Sequence, residues 1–246
     1  MTENVVTYPP LDKPKALAEG VWIVDSGPMK AMGVIPLPVR MTVLRLSDKS
    51  LLLHSPTKYS VDLHKEIERL GPIGHFIAPN IAHWTYLEEW QMHVPQATTW
   101  AAAGLRQRAQ VKKSDVRLDH DLSSRSPAAW ADEIDQVAVP GVAGFCEICF
   151  YHRASRTLIL TDLVQNLEPP KLSGLLRGMA RVAGVVAPTG KAPIYLRAIV
   201  RLKGHAAKEA ARQLIAFDPA LVIFAHGRPF DRNAREQLEK SLSWLL

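Results

Sequence analysis

A hairpin in the middle of the chain restricts its fold more than any other feature. Residues 145–152 (FCEICFYH) and 157–162 (TLILTD) are apolar runs joined by the short polar link RASR, and two such runs across a four-residue turn pair antiparallel. Further short runs, at 21–25, 41–46, 51–55, 75–79, 98–101, 135–139 and 221–225, also read as strands. Strict alternation of strand and helix would give one parallel sheet. Hairpins interrupted by helices suit two sheets packed face to face with helices outside them.

Helices are predicted at 60–70, where Gly71 and Pro72 terminate the pattern, and from about His83 to 93. Leu172, Leu175, Leu176, Met179 and Val182, at spacings of three and four, predict another. Two more are predicted at 206–217 and at the C-terminus, where Leu238, Leu242 and Leu245 share one side. The stretch 110–132 has no clear period and reads as loop and short helix. With no internal repeat and no long linker, the expected organisation is an N-terminal tail over 1–19 and a single domain over 20–246, with a helical segment at about 170–217. A chain of 246 residues that is 47% hydrophobic and 22% charged can bury a sizeable core, which excludes a disordered tail.

Two cysteines exclude a disulfide scaffold. Cys146 and Cys149 form a C-x-x-C, but three residues apart in a strand they point to opposite faces, so they are expected to be packing residues rather than a chelating pair. The first twenty residues carry acid and proline where a signal peptide needs a basic end and an apolar core, and no apolar run is long enough to cross a membrane. The expected location is the cytoplasm. Familiar nucleotide and nucleophile motifs are absent: no G-x-G-x-x-G, no G-x-S-x-G, and a phosphate-loop near miss at 184–192 in which Val185 and Ala192 occupy the decisive positions.

The chemistry-bearing residues that remain share one kind of place, the end of an apolar strand. His83 follows HFIAPNIA, Asp162 ends TLILTD, and His226 ends LVIFAH before Gly227. Strand ends meet at the rim of a sheet, and two imidazoles with a carboxylate can hold Zn, Mn or Fe with positions left for water or substrate. His54, Asn80 and Glu147 are expected as hydrogen-bonding support near that rim, and Asn166, four residues after Asp162, as a further cleft residue. His152, just before the RASR turn, is expected to be half exposed.

These elements resemble the metallo-β-lactamase fold, an α/β (α+β) chain folded as a four-layer αββα sandwich with its metal site along one edge. The hairpin CFYHRASRTLILTDLV is similar to the strand pair that ends in the family's metal-bridging aspartate. DPALVIFAHGRPF resembles the late strand that supplies its last histidine, and LLLHSP at 51–56 takes the place of its Leu-Ile-Asp-Thr-Gly turn. The resemblance runs from about Gly20 to the C-terminus and is nearest to the divergent DUF4336 group. The family's H-x-H-x-D-H signature falls on residues 78–83, where only His83 survives; Asn80 takes the place of the second histidine and Ala82 that of the aspartate. Slid by one, the register puts His83 on the aspartate and Trp84 on the final histidine. The segment 139–147 has no histidine, so the first metal site is missing in either register.

What the resemblance implies is a reduced second site: one divalent ion (Zn, Mn or Fe), or none, held by His83, Asp162 and His226, with His83 and Asp162 as the catalytic pair. Two functions follow: a single-metal hydrolase of a small ester, thioester or phosphoester, or a non-catalytic descendant that binds a metabolite or protein. The net charge of +6 is concentrated, since residues 171–212 hold nine basic residues against Glu209 alone. With Tyr195 the one aromatic there, base stacking is not supported. A small anionic molecule is therefore the expected partner, rather than a nucleic acid or a membrane.

Overall fold

The computed structural model describes residues 6–31 and 35–246. In chain order the strands and helices are β1 (Pro14–Ala18), β2 (Val21–Ala31), β3 (Ile35–Arg45), β4 (Leu51–His54), α1 (Val61–Glu68), β5 (Ile73–Ala78), α2 (Leu87–His93), β6 (Thr98–Ala101) and β7 (His120–Asp121). There follow β8 (Ile134–Pro140), β9 (Cys146–His152), β10 (Thr157–Ile159), β11 (Gln165–Asn166), α3 (Gly174–Ala183), α4 (Ile194–Arg201), α5 (His205–Ala216), β12 (Leu221–Ile223), β13 (His226–Gly227) and α6 (Ala234–Leu242). No helix among the described residues is long and apolar enough to cross a membrane.

The first seven strands form one sheet in sequence order, antiparallel from β1 to β4 and parallel from β4 to β7. The second sheet has the order β12-β10-β9-β8, with the expected hairpin at its centre, Thr157 opposite His152, and β12 parallel to β10. Each central strand is apolar on both faces because each face meets a different layer. In β5, Phe76 and Ala78 pack outward with α1 and α2 while Ile77 points between the sheets. In β9, Cys149 and Tyr151 pack outward with α5 and α6 while Ile148 and Phe150 point inward to meet Leu52 and Ile77. Cys146 and Cys149 accordingly lie on opposite faces, both as free thiols. The order of layers is helix, sheet, sheet, helix.

Several elements differ from expectation. The long antiparallel pair β2–β3, eleven residues each, includes Pro28, Pro36 and Pro38, residues that argue against a strand interior in the sequence. Residues 14–18, inside the stretch expected as a tail, pair with β2 as the edge strand β1, because Val21–Val24 leave that edge open. Helix α1 starts where Ser60 accepts a hydrogen bond from the Leu63 amide at 3.2 Å.

Candidate metal centre

Strands β4, β5, β10 and β12 all end at the same rim. Strand β4 ends in His54, with Ser55 next; beyond β5 the loop carries Asn80 and His83; beyond β10 comes Asp162; and beyond β12 the short strand β13 carries His226. The predicted helix start at His83 is displaced: α2 begins at Leu87, which leaves His83 on a loop pinned by the Asn80 side chain. Asn80 Oδ1 accepts from the amides of Ala82 (2.8 Å) and His83 (3.1 Å), an Asx-type closure that competes with helix.

His83, Asp162 and His226 come together, each offering a ligand atom, with all three atoms within 4.8 Å of one another. His83 Nε2 lies 3.2 Å from Asp162 Oδ2, and His226 Nε2 lies 3.4 Å from Oδ1. The far nitrogens are fixed from behind. His83 Nδ1 is 2.6 Å from Ser55 Oγ, and His226 Nδ1 donates to the Pro38 carbonyl at 2.6 Å. A carbonyl can only accept, so that Nδ1 bears its hydrogen and the neutral ring presents a lone pair at Nε2, facing the carboxylate. Two electron-rich atoms at 3.4 Å need a cation between them, either a second proton on the ring or a metal ion. The donor chemistry therefore fits a divalent ion: two imidazole nitrogens and one carboxylate, open on one side.

Beneath the carboxylate lies a second one. Glu147 is fully buried and accepts the amides of Thr161 and Asp162, both at 2.8 Å, so it shapes the turn that aims Asp162. Asn80 Nδ2 sits between the two acids, 2.9 Å from Asp162 Oδ2 and 3.3 Å from Glu147 Oε2. The environments drive the acids apart. Burial, then the charge of Asp162, raises the Glu147 carboxyl. Burial also opposes ionisation of Asp162, but His83 and His226 outweigh it and hold its carboxyl well below the usual range. In the same way Asp162 overcomes burial at His83 and raises that imidazole.

The sequence reading did not find the residue that braces His226. Arg40, on β3, donates through Nη1 to the carbonyls of Phe224 (3.0 Å) and Gly227 (2.6 Å), on either side of that histidine. Its Nη2 is 2.7 Å from Asp25 Oδ1, and both side chains are buried, 2% and 3% exposed. The linear pattern shows only that Asp25 closes one apolar run and that Arg40 immediately precedes the next, which does not reveal their pairing.

The other candidates fall behind the site. His54 is buried with its ring edge against Phe150, and burial, followed by the nearby His83, pushes its pKa down to about 3. Asn166 is turned away from the cleft: its amide donates to the Arg228 carbonyl (2.9 Å) and its oxygen accepts the Gly190 amide (3.2 Å), so it ties loops together. His152 is buried rather than half exposed, with Nδ1 2.7 Å from Ser155 Oγ.

The three residues open onto a cleft of about 410 Å³. Its walls include Ser55, Trp84, Arg108, Gln165 and Tyr195, and Arg108 Nε is buried with no hydrogen-bond partner among the described residues. A larger surface depression of about 600 Å³ lies around Gly20, Arg45 and Glu133, at the opposite ends of these strands and away from the three ligand residues.

The whole architecture is that of the metallo-β-lactamases. A metallo-beta-lactamase from Hirschia baltica superposes with a TM-score of 0.61 over 95% of this chain and 97% of its own, at 16% identity. FIM-1 from Pseudomonas aeruginosa, in its mono-zinc form, gives 0.60 over 99% and 96%, also at 16% identity. The enzyme from Pontibacter korlensis gives 0.60 over 95% and 98%, at 14% identity. No curated protein matches the sequence. The family model described as a domain of unknown function, DUF4336, matches residues 19–178, well over half the chain, and the protein belongs to that family as a divergent member of the metallo-β-lactamase fold.

Proposed function

We propose that the protein is a single-metal hydrolase acting on a small ester, thioester or phosphoester, with His83, Asp162 and His226 as the ligands of one Zn, Mn or Fe ion. The observation that carries this reading is the fixed ring of His226, whose Pro38 bond turns a lone pair toward an ionised carboxylate. A divalent ion in such a set supplies Lewis acidity toward an acyl or phosphoryl oxygen and lowers the pKa of water.

The chain's own residues bind, orient and exclude. Asn80 and Gln165 hold the two oxygens of Asp162 from behind, at 2.9 and 3.3 Å, so the carboxylate cannot turn away. The side chains of His83 and Asp162 keep 12% and 13% of their surface in contact with solvent while His226 keeps 4%, so the reacting face is the one toward the cleft. Arg108, on the wall of the cleft, places a positive charge beside an anionic substrate. Tyr195 keeps its phenol proton to higher pH than a free tyrosine, through burial and the charge of Asp162, and so remains a donor to a substrate oxygen. In the net reaction water adds across the scissile bond, its hydroxyl to the acyl or phosphoryl centre and its hydrogen to the leaving group.

Metal analysis of protein purified without chelator, together with a panel of the three substrate classes, tests this. Stoichiometric metal and a hydrolysed substrate, both lost in His226→Ala, are expected; a wild-type protein that takes up no Zn, Mn or Fe would overturn it. A second reading, a non-catalytic binding protein, is favoured by Asn80, which the resemblance places where a ligand histidine belongs and which is committed to bracing a loop. It requires an anionic metabolite to bind equally well with and without metal.

A further inference from the structure

Leu37, Gln165 and Tyr195 line both the metal cleft and an adjoining second cavity of about 210 Å³. One wall is the start of β3, with Ile35 and Leu37; the other is α3, with Leu176 and Met179. The floor is a small separate core of Leu167, Leu172, Ala180 and Val185. Among the described residues, no charged side chain lines this groove. Its one amide, Gln165, is already engaged with Asp162 at the junction with the cleft. The cations of α3 are placed elsewhere: Arg177 is turned onto the Leu172 carbonyl and Arg181 is exposed.

We infer that this groove is the acyl-chain subsite of the enzyme, so that the substrate is an ester or thioester of a medium-chain carboxylic acid. A polar group pushed into the groove would lose its water and find no partner, whereas an alkyl chain loses nothing and gains burial. Because the groove opens at Gln165, an acyl chain lying in it presents its carboxyl carbon toward Asp162. The occupant is a single alkyl chain: a volume of about 210 Å³ suits one medium-length chain, and the groove shares Leu37, Gln165 and Tyr195 with the cleft that holds the three ligand residues. This inference rests on the hydrolase reading for its chemistry, but binding of the chain does not depend on turnover.

The test therefore has two arms. In the first, kcat/KM is measured for thioesters from acetyl to dodecanoyl, kept below the concentrations at which they aggregate. The expected result is a rise of about fourfold per methylene that levels off once the groove is full. In the second, metal-free protein is titrated calorimetrically with straight-chain carboxylic acids of the same lengths, and binding is expected to strengthen in parallel. Met179→Glu, at a half-exposed position that tolerates charge, and Leu176→Trp should each flatten both slopes, with unfolding curves confirming that the variants are folded. Chain binding that is blocked by Met179→Glu, without hydrolysis of any thioester or of any member of the ester and phosphoester panel, supports the groove as a binding site and removes the hydrolase reading. Hydrolysis without any dependence on chain length, together with no calorimetric binding, leaves the hydrolase and overturns the groove. A concentration-dependent dimer disrupted by Met179→Glu would likewise overturn it, by showing that a second copy covers this face.

Discussion

Asn80 stands where the resemblance expects a metal-binding histidine, yet its side chain makes five hydrogen-bond contacts, two accepted from the loop that carries His83 and three donated to Glu147, Thr161 and Asp162. A neutral amide is suited to this place because it can accept on one side and donate on the other. Asn80→Ala leaves two buried carboxyls without the donor between them, and chemical denaturation should show a loss of about 1–3 kcal/mol. Glu147 also acts on the cysteines. Burial, and then Glu147, pushes the Cys146 thiol up to about 11. Only the thiolate reacts, so alkylation of the folded protein should be slow at neutral pH and speed up about tenfold per pH unit until the thiol titrates. A fast reaction at pH 7, followed by mass spectrometry, would show that this environment is wrong.

At the scale of elements, two short strands decide whether the site exists. Strand β13 pairs in parallel with β11, Gln165 opposite His226 and Asn166 opposite Gly227, and this pairing sets the height of the histidine. Gly227 has a φ of +105°, and a side chain there would collide with the Asn166 backbone carbonyl. Gly227→Ala should therefore displace β13, weakening metal uptake and lowering the melting temperature together; an unchanged metal affinity would separate the ring's position from this pairing. Arg40 tests the same element from the other side. Arg40→Met removes the donors to Phe224 and Gly227 and leaves Lys15, 2.5 Å away, as the cation beside the buried Asp25, a loss of about 1–3 kcal/mol in a denaturation experiment. Neither effect was visible in the linear pattern. The β3 segment holds Pro36 and Pro38, which mask a strand, and Arg40 contacts residues more than 180 positions away.

The whole molecule depends on the layer between the sheets, which lies directly under the site. Phe150 is fully buried there, against Trp130 and the ring of His54. Phe150→Ala should cost about 3–5 kcal/mol, and because His54 adjoins Ser55, the hydrogen-bond partner of His83, metal affinity should fall with it. A stable variant with undiminished affinity would show that the rim is independent of the layer below. A backbone bond adds to this layer: the Ile148 amide donates to the Pro79 carbonyl at 2.8 Å, tying the second sheet to the loop that carries Asn80 and His83.

The sequence by itself determined the layers and the three converging residues, because continuous apolar runs specify strands buried on both faces and because polar residues stand at or just beyond the ends of those runs. His83, Asp162 and His226 were legible for that reason. Tertiary structure alone decided which nitrogen each histidine presents, since Ser55 and Pro38 come from other strands. It also decided that Asn166 and His54 turn away, that Arg40 braces β13, and that an apolar groove leads off the cleft between β3 and α3. Each of these depends on groups far apart in the chain, and a local pattern of residues carries no record of what the fold will set opposite them.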